Sequence, residues 1–148
     1  MVEIQDQAWA NPSSLHGFGL RASEALERSR AQIADKLNAD FRDVVFTSGA
    51  TESVHLALHG LAGLQSPGRL VISSVEHPAV SGAAHQLFRN GWEVVEWPVD
   101  QLGRIRLERL DELLSPPTRI LSLVWGQGEI GTIQPLLSVA EACRRRGI

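Results

Sequence analysis

The stretch Val44–Leu58, "VVFTSGATESVHLAL", holds two different periodicities with a join of small residues between them. Val44 to Thr47 are β-branched or aromatic, which predicts a short buried strand. Val54, Leu58 and Leu61 recur at helical intervals with Ala57 between them, which predicts a helix over Glu52–Leu61. Ser48, Gly49, Ala50 and Thr51 make the join. A strand, a small-residue turn and a helix start, in that order, present backbone N–H groups to an anion, and the Thr51 hydroxyl can add a donor. A tight turn that only packs well has the same sequence features, so the motif alone leaves both readings open.

The same alternation continues outward. Strands are predicted at Val44–Thr47, Leu70–Ser73, Glu93–Trp97 and Ile120–Val124, and helices at Glu52–Leu61, Ala79–Asn90, Leu107–Leu114 and Leu136–Arg146. Local chemistry supports several boundaries: Pro78 and Pro135 suit first helical turns, Gly91 and Gly147 suit the left-handed residue after a helix, and Pro116-Pro117 stops the third helix. On the amino-terminal side, Ala22, Leu26, Ile33 and Leu37 share one face of a helix over Gly19–Leu37, with Glu24 and Arg28 at i,i+4 on another. The pattern predicts an α/β fold: three layers, a mostly parallel sheet and flanking helices.

A chain of 148 residues, 43% apolar and 21% charged, suits one soluble domain. Residues 1–18 are expected to be loop, and 19–148 the helix and βα repeats. The net charge of −3 comes without a basic stripe. Arg144, Arg145 and Arg146 complement a helix dipole, so nucleic acid is not an expected partner. No apolar window approaches the roughly 18 residues of a membrane span, and the opening residues lack signal-peptide character, so a cytoplasmic protein without membrane contact is expected. One cysteine, Cys143, leaves no intrachain disulfide, and one lysine, Lys36, lies in a helical pattern far from every glycine-rich loop. The chain reads as cut at both ends: "CRRRGI" finishes a helix with Ile148 opening another strand, and "NPSSLHGFG" is loop chemistry with nothing before it.

Ligands of parallel α/β sheets gather outside the carboxyl ends of the strands. Three segments fall there: Ser48–Thr51, Glu76-His77, and "WGQGEIG", Trp125 to Gly131. His77, between a strand and a helix-opening proline, is either a residue facing that crevice or a solvated helix cap. His55 and His59 have the i,i+4 spacing of metal ligands, but no third ligand is evident and no metal is expected. Cys143 shares a helix face with Val139 and Ala140 and reads as a small hydrophobe. The scattered Trp9, Trp92, Trp97 and Trp125 suit packing rather than an aromatic platform.

Taken together, "NPSSLHGFG", "VVFTSGATES", "SSVEHPAV" and "EIGTIQP" resemble, in order, the cysteine desulfurases, pyridoxal-phosphate enzymes of the class V aminotransferase group within fold type I. The resemblance runs from Trp9 to Ile148 and implies the amino-terminal part of a large domain. It implies pyridoxal 5'-phosphate as cofactor, with Ala50 and Thr51 at its phosphate and His77 stacked on its ring and taking part in proton transfer. Asn11, with Pro12 to Ser14, resembles a loop on the substrate side. The family's second polar residue before "EIG", commonly an Asn beside the phenolic oxygen, is here Gly128, leaving Gln127 to make that contact from one position earlier.

The resemblance further implies L-cysteine as the parent substrate, alanine and a persulfide as products, sulfur supply for iron–sulfur cluster assembly, and a homo-oligomer. The family's pyridinium Asp, covalent Lys, nucleophilic Cys and carboxylate-binding Arg find no counterpart here. The expectation is therefore a chain inactive alone, the partner of a missing carboxyl-terminal half or second subunit. A non-catalytic interaction module that keeps a residual phosphate site is the alternative, and a piece of a longer protein a third possibility.

Overall fold

In a computed structural model of the chain, residues 2–148 are described, with side chains from residue 5 onward. The chain divides into two compact units, 1–46 and 47–148. The amino-terminal unit opens with helix α1 (Val2–Gln7), inside the stretch expected to be loop, and continues with α2 (Gly17–Leu37). His16 caps α2 through Nδ1, which accepts the Gly19 N–H at 3.2 Å, and Asn38 ends it in the left-handed region at φ 51°. The buried positions of α2 are Gly19, Ala22 and Ala34, while Leu26, Ile33 and Leu37 face water. Of the predicted apolar face, only Ala22 is buried.

Val44–Thr47 is not a strand. Val44 is extended, at φ −88° and ψ 118°, but a strand exists only where a ladder pairs it, and no strand pairs this segment. The Val44 carbonyl instead accepts the Arg30 guanidinium, which also lies 4.9 Å from the Phe46 ring centre. Val45 is 71% exposed. Among the described residues the predicted four strands are therefore three.

Those three form the centre of the second unit: β1 (Arg69–Ser73), β2 (Glu93–Trp97) and β3 (Thr118–Ser122), all parallel, in the order β2-β1-β3. β3 starts and ends two residues earlier than its apolar run predicts. Its last rung pairs Ser122 with Ile72, after which β1 turns away and the Val124 N–H finds a different acceptor, the Glu76 carboxylate. The flanking helices are α3 (Ala50–Gly63), α4 (Pro78–Arg89), α5 (Leu110–Leu113) and α6 (Leu136–Arg146). The predicted Leu107–Leu114 helix begins as a 3-10 turn at Leu107–Arg109 and becomes α-helical only for the four residues of α5.

Alternation along the central strand builds two cores. Leu70 and Ile72 pack with Leu58 and Ala62 of α3, with Val80, Ala83, Ala84 and Leu87 of α4, and with Trp92. Val71 points the other way, into Trp97, Ile105, Leu113, Leu114, Val139 and Ala142. The result is helices, sheet, helices. α3 buries Leu58 and Ala62, four residues apart; Leu61, predicted on this face, is 49% exposed. Cys143 is half-buried beside Val139, whereas Ala140 is exposed.

Connectivity orients the helices. A helix of 14 residues, about 21 Å long, joins β1 through residues 64–68, so the amino end of α3 lies toward the carboxyl ends of the strands. α4 leaves β1 after a short turn and starts at that same end.

Candidate functional site

Three segments of the second unit meet this end of the sheet: the start of α3, the start of α4, and the loop after β3. At the first, Gly49 is the N-cap and makes no side-chain cap, so the amides of the opening turn face outward. Thr47 Oγ1 lies 2.7 Å from Ser53 Oγ, and Glu52 Oε2 accepts the Ser48 N–H at 2.6 Å. Hydrogen bonds from Ser48, side chain first and backbone second, hold the Glu52 carboxyl below its usual range. Ala50 and Thr51 are both exposed, and the Thr51 hydroxyl makes no hydrogen bond among the described residues. Free amides, a free hydroxyl and the positive end of a helix suit the phosphate of pyridoxal 5'-phosphate.

At the second segment His77 is the N-cap of α4, with Nδ1 accepting the Ala79 N–H at 3.1 Å and Pro78 in the first turn. An acceptor Nδ1 puts the single proton of the neutral ring on Nε2. The ring is exposed. His77 is thus a helix cap with a free face and a free Nε2–H, and the two sequence readings do not exclude one another.

The third segment is tied into the fold at both ends. Gln134 is buried, accepting from the Ile105 N–H at 3.0 Å and donating to the Gly103 carbonyl at 2.7 Å, and Thr132 donates to the Leu102 carbonyl. Gly103 is required, because its φ is +74° and a side chain there would run into Ile130. Gln127 folds onto its own loop: Oε1 accepts from Glu129 at 2.6 Å and from Ile130 at 3.0 Å. Its oxygen is spent locally, and the Nε2 amide group has no partner among the described residues. A donor toward a phenolic oxygen is what that group can offer.

Asn11 belongs to the amino-terminal unit. Its side-chain oxygen accepts the Ser13 N–H at 2.9 Å and its carbonyl accepts the Ser14 N–H at 3.0 Å, which makes "NPSS" a closed turn. Lys36 is an exposed cation 3.7 Å from Asp35. The His55 and His59 rings lie 5.4 Å apart, and among the described residues no group of three or more His, Cys, Asp or Glu is placed to hold a metal. Nor is any described helix long and apolar enough to cross a membrane. The residue that sequence reasoning passed over is Glu76, quoted only as the neighbour of His77; its carboxylate is the bridge between the second and third segments.

The profile of the aminotransferase class-V family matches residues 1–148. This chain belongs to that family. It is 40% identical over 146 residues to the cysteine desulfurase IscS of Shewanella denitrificans, covering 97% of this chain and 36% of that protein. Among solved structures, a NifS-like protein superposes with a TM-score of 0.90 at 30% identity, covering 98% of this chain and 40% of that one. SspA in complex with cysteine superposes with a TM-score of 0.88 at 33% identity, covering 98% and 42%. The chain thus spans well under half the length of the family members it matches, and it carries their parallel sheet with flanking helices.

Proposed function

We propose that this class-V chain supplies the phosphate-binding and ring-facing surface of a pyridoxal-phosphate-dependent cysteine desulfurase. What supports the reading is topology: Thr51 and His77 lie in or just before the first turns of α3 and α4 and Gln127 in the loop after β3, in a chain 40% identical to a cysteine desulfurase. Pyridoxal phosphate, when bound, supplies an electron sink for the bonds around the amino acid Cα. The Ala50 and Thr51 amides and the Thr51 hydroxyl bind its phosphate. His77 offers a ring face and an Nε2–H, and Gln127 an amide donor from the facing loop. L-cysteine is the candidate amino acid substrate.

The chain has one lysine and one cysteine. Lys36 is solvated beside Asp35, and burial pushes the Cys143 thiol up, with Arg146 opposing. Neither is set up as a nucleophile. The covalent lysine and the sulfur-accepting thiolate of the reaction therefore come from outside these residues, and the working enzyme is an assembly or a longer protein.

The test is direct. Given pyridoxal phosphate and L-cysteine, the chain should form no borohydride-stable adduct at Lys36 and release alanine no faster than free cofactor. Adding a polypeptide that carries the remaining family length should restore alanine formation, and restoration should fail with His77→Ala. Alanine release by the chain alone, lost on Lys36→Ala, would overturn the reading. Phosphate binding with no restoration would favour the interaction module.

A further inference from the structure

We propose that Glu76 is the positioning residue that sets His77 against the loop carrying Gln127. Its Oε1 accepts two hydrogen bonds, from the Ser73 hydroxyl at 2.8 Å and from the Val124 backbone N–H at 2.6 Å. Ser73 is buried at the end of β1, and Val124, the second residue past the end of β3, is 48 residues from Glu76 in sequence. One carboxylate oxygen therefore continues the β1–β3 pairing after the ladder has stopped. A side-chain carbonyl-type oxygen has two lone-pair sites, so Oε1 can take both donors at once.

The consequence falls on the neighbours. His77 follows Glu76 directly and is held on its other side by its own cap to Ala79. Val124 is followed by Trp125 and Gly126, and then by Gln127, whose N–H bonds to the Thr132 carbonyl at 2.9 Å. Two loops that otherwise share no ladder are fixed to each other through this oxygen. A loop histidine left to itself samples several positions; here its Cα has a defined place relative to the facing loop. Both hydrogen bonds to Oε1 come from the fold itself, so the effect of Glu76 passes through His77.

The role of His77 toward a pyridine ring rests on the proposed function, whereas the bridge is a property of the chain itself, and the experiment separates the two. The probes are pyridoxamine 5'-phosphate, which has no aldehyde and reports non-covalent binding only, and inorganic phosphate. The variants are Glu76→Gln, which keeps an acceptor oxygen at the same reach, and Glu76→Asp, one methylene shorter. In the ligand-free chain, Glu76→Asp should raise Val124 amide exchange and mix the two His77 tautomers in the imidazole nitrogen spectrum, with Glu76→Gln close to wild type. With ligands, Glu76→Asp should weaken pyridoxamine phosphate by about 3- to 10-fold and leave inorganic phosphate unchanged. Ser73→Ala, which removes one of the two donors and no charge, should move the same readouts the same way and serves if Glu76→Asp does not fold. Unchanged His77 and Val124 signals in Glu76→Asp, or in Ser73→Ala where that variant replaces it, would overturn the positioning role. Wild-type chain that binds pyridoxamine phosphate no better than phosphate would overturn the ring-facing role of His77, and the ligand-free signals would still decide the bridge.

Discussion

Glu52 Oε2 accepts the Ser48 backbone N–H at 2.6 Å, closing the turn that opens α3. Its carboxyl is held low by the hydrogen bonds from Ser48. A carboxyl lowered on folding adds stability above its unfolded pKa and loses it as pH falls through the folded value. Acidification below the usual carboxylate range should therefore free this turn. Ser48 amide exchange, corrected for its intrinsic rate, should rise on acidification in the wild type and stay flat in Glu52→Gln. Equal acid sensitivity in the variant would assign control of the turn to other groups.

Thr51→Val removes a hydroxyl and keeps the shape. If that hydroxyl meets a phosphate, titration should show binding of inorganic phosphate weakened by about 3- to 10-fold, the worth of one hydrogen bond. Thr51→Ser should bind as the wild type does. Equal binding by Thr51→Val would remove Thr51 from the site.

The two leucines of α3 make a sharp comparison. Leu58 is 5% exposed, against the cores of α4 and β1, and Leu61 is 49% exposed. Leu58→Ala should lower unfolding free energy by about 2–5 kcal/mol, while Leu61→Ala should stay within about 0.5 kcal/mol. Urea melts of both variants measure the difference. A larger loss at Leu61 would mean that this face is covered in solution.

Apolar side chains crowd the surface past β3. Trp125 is 68% and Leu137 is 85% exposed, and both line a cleft of about 600 Å³ with Gln134, Pro135, Leu136 and Ser138. With β2 and β3 as sheet edges, concentration-dependent association is expected, and Leu137→Lys should reduce it. Sedimentation across a wide concentration range gives the answer; a stable wild-type monomer throughout would contradict the expectation.

Burial raises the Cys143 thiol, so at mildly alkaline pH the folded chain holds less thiolate than the unfolded one. Disulfide-exchange reagents should label Cys143 slowly in the native chain and at the rate of a free thiol in urea. The sign for stability follows: the thiol's contribution is lost as pH rises past its unfolded pKa. Fast native labelling would place Cys143 in a polar, accessible setting.

Much of this molecule is written locally. The strand and helix periods, the proline at the start of α4 and the left-handed glycines at Gly91 and Gly147 are properties of neighbouring residues. So is the small-residue turn before α3, and sequence alone was enough to find them. The βα alternation also puts the Glu76-His77 turn and the Trp125–Gly131 loop on one side of the sheet, whereas Ser48–Thr51 follows a segment that pairs with no strand among the described residues.

Other features depend on groups far apart in the chain, and only the tertiary structure decided them. Val44–Thr47 has strand composition but no ladder partner, so its backbone turns to Arg30. Leu58 and Leu61 fit the helical period equally well, and the sheet surface chose Leu58 and Ala62. The Gln127 oxygen is consumed by its own loop, and Glu76 reaches a backbone N–H 48 residues away. Periodicity and capping follow from neighbours along the chain, whereas ladders, packing and long-range hydrogen bonds exist only between segments that folding brings side by side.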